Sequence, residues 1–134
     1  MIIEEDYVSF ETAKLLKERG FDELTYACFS SDGEDYYGYR ALGTDIMRPT
    51  LQMAMKWLRE IYDLHIEITS TKSYGSDGNG HEIPLDGVLY HANIVQNNKW
   101  SNITKKFKSH SLACYCSYER ACEAAIKCCL EKLI

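Results

Sequence analysis

The sequence predicts an α+β domain, with helices packed on one face of a mostly antiparallel sheet. Three observations carry this. Leu51, Ala54, Met55, Leu58, Ile61 and Tyr62 recur at the spacing of one helix face, while Gln52, Lys56, Arg59, Glu60 and Asp63 fall opposite. His65-Ile66-Glu67-Ile68-Thr69 follows at once and alternates apolar with polar, the period of a half-buried strand. The connections after the helices are short, which favours antiparallel pairing over parallel crossovers.

The elements follow in the order αββα, a β-meander and a last α. Ser9 to Arg19 reads as the first helix, with Ser9 as its cap. Gly20 is placed to end it in a left-handed turn that brings Phe21 against Leu16. Thr25 to Phe29 and Tyr36 to Ala41 read as strands, joined by Ser31-Asp32-Gly33-Glu34, a turn by composition. Pro49-Thr50 opens the second helix, Leu51 to Tyr62. His65 to Tyr74 and Val88 to Val95 are strands around the glycine-rich loop Gly75 to Gly80. Trp100 to Phe107 and Leu112 to Cys116 complete the meander. Ser117 caps the final helix, from Tyr118 to about Leu133, where Glu123 and Lys127 have the favourable i, i+4 order.

A chain of 134 residues is expected to form one domain, 1–134, with an ordinary core. The amino-terminal end, Met1-Ile2-Ile3-Glu4-Glu5-Asp6, is acidic where a secretory leader would be basic, and no apolar run reaches membrane-spanning length. A cytoplasmic protein without membrane contact is expected. The net charge of −5 argues against non-specific nucleic-acid binding by the whole surface. That charge is uneven: residues 1–67 carry 7 Lys/Arg against 14 Asp/Glu, and residues 68–134 carry 8 against 6.

Three blocks, Ser9-Phe10-Glu11-Thr12-Ala13 through Gly20-Phe21-Asp22, Pro49-Thr50-Leu51 through Leu58-Arg59-Glu60, and Tyr118-Glu119-Arg120-Ala121 with Leu133-Ile134, span both ends and the centre. Together they resemble a group of short uncharacterised proteins encoded by gut bacteria, their phages and mobile elements. The resemblance implies no activity and supplies no catalytic residues. It implies a mobile-element setting, where small accessory proteins often act by binding and blocking a partner.

The candidate sites divide by chemistry. Six cysteines in a chain read as intracellular are expected to be thiols. On the last helix, Cys122, Cys128 and Cys129 share the apolar arc, where cysteine behaves as a small hydrophobe. His110, Cys114 and Cys116 lack the paired spacing of a zinc site, so no metal or other cofactor is expected. Gly75 to Gly80 lacks the Gly-Lys-Ser/Thr ending of a phosphate loop. Arg40, Lys72, Tyr90, Trp100, Lys105 and Lys106 combine cations with aromatic rings that can stack a base and neutralise a phosphate. They are the candidate ligand-binding surface for a small anionic or nucleotide ligand. The same lysines can instead serve only to blunt a strand edge.

On the second helix, with Leu51 at 0°, Met53 and Trp57 fall at about 200° and 240°, outside the core arc of about 280° to 40°. They mark either a wide helix face buried by a second layer or the candidate interface for a protein partner or a homo-oligomer. The function expected first is a non-enzymatic binding protein; the alternatives are an anionic-ligand sponge and a small thiol- or metal-dependent hydrolase.

Overall fold

The structure is a computed structural model; it describes residues 4–38, 45–76, 78–80, 82–96, 115 and 117–134. Strands and helices together make an α+β fold, as expected. The elements are α1 (Phe10–Glu18), β1 (Ala27–Phe29), β2 (Asp35–Tyr37), β3 (Ile46–Arg48), α2 (Leu51–Tyr62), β4 (Leu64–Ser76), β5 (Glu82–Gln96) and α3 (Tyr118–Cys128). A wide π-helical turn, Cys129–Leu133, continues α3.

The three helix starts are local events. Ser9, Thr50 and Ser117 each lie in extended backbone, and each side-chain oxygen accepts from the amide three residues on: Thr12, Met53 and Arg120. This satisfies one of the amides a helix leaves orphaned at its start. The end of α1 is equally local. Gly20 adopts φ +96°, its amide donates to Lys17, and the Phe21 amide donates to the Leu16 carbonyl at 2.9 Å. That is the paired bond of a Schellman turn.

Where the single sheet was expected, the strands divide into two antiparallel sheets. The first has the order β2-β1-β3 and pairs Cys28 with both Tyr36 and Met47. β3 is not expected from the sequence. Three residues are too short to show a period, and they extend because β1 offers an edge. The second sheet is the hairpin β4–β5, in register from Leu64↔Gln96 to Ser76↔Glu82 with an irregularity between Lys72 and Tyr74. Its strands run through Gly75 and Ser76, which the glycine-rich loop was expected to include. Of the later meander, Tyr115 pairs with Tyr90 on the outer side of β5. The expected strand over Trp100 to Phe107 lies outside the described residues.

The core sits where the helices meet the hairpin. Leu16 of α1, Leu58 of α2, Leu64 of β4, Ile94 of β5, Ile126 of α3 and Leu130 beyond it are all essentially inaccessible to solvent. α2 packs on β4, and α3 packs on both hairpin strands and on α2, while α1 packs on β3 and α3.

The last helix is tied to the first by charge. Glu123 Oε1 accepts from the Ser9 amide at 3.1 Å, from Ser9 Oγ at 2.5 Å and from Thr12 Oγ1 at 2.6 Å. Lys127 reaches Glu11 at 2.8 Å. The expected Glu123–Lys127 pair is therefore replaced by two contacts with α1. The Glu123 carboxylate lies at a helix start, where the backbone dipole favours a negative charge. Among the described residues, no helix is long and apolar enough to cross a membrane.

Candidate functional site

The larger of two concavities among the described residues is a groove beside α2. It is built from the Schellman turn outward. That turn folds Phe21 back, so its ring meets the edge of Trp57 at 5.3 Å between centroids. Tyr62, five residues further along α2, also stands edge-on to Trp57 at 5.3 Å. The Tyr62 hydroxyl donates to the Arg19 carbonyl at 2.8 Å, and Arg19 Nε donates to the Leu130 carbonyl at 3.0 Å. This chain of bonds fixes the turn after α1 against α2 and the last helix.

Trp57 is consequently 8% exposed, in the core cluster. Of the two readings of this flank, burial by a second layer holds for Trp57, which is therefore not an exposed interface residue. A helical wheel places Trp57 outside the core arc, but Phe21 supplies a second layer that extends the buried face. Ile61, assigned to the core from its spacing, is 61% exposed, because it lies past the end of that layer. Met53 is exposed as expected, and Leu24, in the segment after the turn, is exposed beside it.

Leu24, Met53 and Ile61 surround a concavity of about 350 Å³, with Phe21 and Trp57 forming part of its lining and Glu23, Lys56 and Glu60 contributing charge. Scattered single apolar residues on a surface are ordinary. Three around one concavity are a patch of the kind that marks interaction sites. The sequence signal for this groove was partial: Met53 and Trp57 were visible on the wheel, whereas Leu24 and Ile61 became part of it only through the position of Phe21.

The expected ligand-binding surface is described at two positions. Lys72 is exposed on β4, and Tyr90 is half-buried on β5. Tyr90 faces Ser70 across the hairpin and Lys72 faces Val88, so alternation puts Lys72 and Tyr90 on one face of the sheet. The Tyr90 ring stands edge-on to Tyr118 at 6.2 Å, and the Tyr118 hydroxyl accepts from Gln52. Arg40, Trp100, Lys105 and Lys106 lie outside the described residues.

The described cysteines, Cys28, Cys122, Cys128 and Cys129, are thiols. Burial pushes the Cys122 thiol up to about 11 and also raises Cys128 and Cys129. These groups are held protonated near neutral pH, the opposite of an activated nucleophile. On the small sheet, the Tyr36 hydroxyl donates to Asp45, and this bond raises the phenol's pKa. Among the described residues, no three His, Cys, Asp or Glu side chains converge as metal ligands. His110, Cys114 and Cys116 lie outside them. A second, smaller cleft of about 150 Å³ at the start of α2 is lined by Glu4, Glu5, Asp6 and Glu119 together with Thr50, Leu51, Gln52 and Tyr118.

No family model matches the chain, and neither a curated protein nor a solved structure matches it.

Proposed function

We propose that the protein is a non-enzymatic binding protein whose docking surface for another protein chain is the groove beside α2. The observation that carries this is the grouping of Leu24, Met53 and Ile61 around one concavity against Trp57. Each is a large apolar side chain left in water by the fold, at 55%, 41% and 61% exposure respectively. A partner that covers them gains their transfer free energy without moving the core. The charged rim of Glu23, Lys56 and Glu60 suits an interface, where polar residues surround an apolar centre. The resemblance to proteins of phages and mobile elements supports an intracellular accessory that acts by occupying a partner rather than by turnover.

A photo-reactive side chain placed at Met53 in the native host tests this. It is expected to yield a covalent adduct with a protein chain. An equivalent label at the exposed Lys72 on the hairpin serves as the control. A yield at Met53 no greater than at Lys72 would refute docking at the groove.

A further inference from the structure

We infer that three tyrosines at the small sheet, Tyr7, Tyr26 and Tyr37, form a second docking surface, and that it takes an arginine-bearing segment of a partner protein. None of these rings lines the groove beside α2.

The rings gather from three separate parts of the chain. Tyr37 ends β2, Tyr26 directly precedes β1, and Tyr7 bridges to Thr50 at the start of α2. Tyr37 meets Tyr26 at 6.0 Å between centroids and Tyr7 at 6.1 Å, so the three make one continuous aromatic surface. The fold leaves much of it in water: Tyr26 is 51% and Tyr37 55% exposed, and Tyr7 is half-buried. Tyrosine offers a large, rigid contact at small entropic cost and is enriched where proteins meet.

Charge selects the occupant. The stretches that lead into the rings, residues 4–7, 22–26 and 34–37, carry seven Asp/Glu and no Lys/Arg. All seven carboxylates are exposed. One of them, Asp35, lies 3.3 Å from Arg48. Among the described residues, none of the other six is in an ion pair. Arg48 also shows how a guanidinium is held here. It lies over the Tyr7 ring at 5.1 Å and over the Phe29 ring at 4.8 Å, with the Asp35 carboxylate beside it. A partner's arginine can repeat that arrangement on Tyr26 and Tyr37, where the ring is exposed and carboxylates stand nearby. The planar, weakly hydrated guanidinium stacks on aromatic rings better than an ammonium does. A nucleic acid can also stack on tyrosine, but its phosphates are repelled by these carboxylates.

Fluorescence anisotropy with two labelled peptides, one alternating glycine with arginine and the other glycine with lysine, tests this at physiological salt. Both peptides carry the same charge, so their ratio separates stacking from simple attraction. Wild type is expected to bind the arginine peptide about tenfold more tightly than the lysine peptide. Tyr26→Ser combined with Tyr37→Ser should abolish that preference without changing net charge. Tyr26→Phe combined with Tyr37→Phe keeps the rings and should preserve it. Met53→Ser, in the groove, should leave binding unchanged. Urea melts establish that the variants are folded. Equal binding of both peptides by wild type, or no binding of the arginine peptide, would overturn the inference whatever the variants do. So would a preference that survives the double serine change, a loss of binding in Met53→Ser, or tighter binding of an oligothymidine than of the arginine peptide.

Discussion

Replacing Glu123 with alanine should loosen the contact that ties α3 to the start of α1. Three donors converge on one carboxylate oxygen: the Ser9 amide, Ser9 Oγ and Thr12 Oγ1. They are not equivalent. The Ser9 bonds are exposed, so water replaces them and each contributes a few tenths of a kcal/mol at most. Thr12 is fully buried, so its bond to a charged acceptor belongs to the class worth roughly 1.5–3 kcal/mol. The negative charge at a helix start adds about 0.3–1 kcal/mol. Against this, Ser9 Oγ lies 3.2 Å from Thr12 Oγ1 and offers the stranded hydroxyl a second partner. The net expected loss is about 2 kcal/mol for Glu123→Ala, and about half that for Glu123→Gln, which keeps an acceptor without the charge. Urea unfolding with linear extrapolation measures both, and an unchanged denaturant slope shows that the change lies in stability. Thr12→Val removes the same bond from the other side. The double variant should therefore lose about 1 kcal/mol less than the sum of the singles. A loss below about 0.5 kcal/mol for Glu123→Ala, or strict additivity with Thr12→Val, would show that the carboxylate does not hold the helices together.

Two further outcomes are expected. Trp57→Ala should cost about 3–5 kcal/mol in the same urea assay, whereas Met53→Glu should change stability by no more than about 0.5 kcal/mol; the reverse order would mean that the buried face of α2 has been misassigned. The raised Cys122 thiol gives a pH dependence whose sign is fixed: the unfolded chain releases this proton near pH 8.5 and the folded chain near 11. Stability should thus hold below about pH 8.5 and decline from there toward pH 11, and Cys122→Ala should reduce that decline; a decline identical in the variant would exclude Cys122 as a source.

Much of the secondary structure is encoded within a few residues. Ser9, Thr50 and Ser117 cap their helices because each needs only an amide three positions away. Gly20 ends α1 because the left-handed turn requires φ +96° there, and the bond it enables, Phe21 to Leu16, spans five residues. The α+β class follows from periods of 3.6 and 2 that are visible within short windows such as Leu51–Tyr62 and His65–Thr69. Contacts between distant segments behave differently. β3 exists because β1 is beside it, although Cys28 and Met47 are 19 residues apart. Trp57 is buried and Ile61 exposed because the turn after α1 delivers Phe21 to one and not to the other. On the isolated helix, Glu123 has Lys127 as its natural partner, yet it binds Ser9 and Thr12, 114 and 111 residues away. A helical wheel contains one helix, and neither Phe21 nor Ser9 belongs to the helix each one completes. The groove beside α2 arises in the same way: its residues come from two segments that the fold brings together, so their apolar surface becomes a common patch through packing, not through spacing.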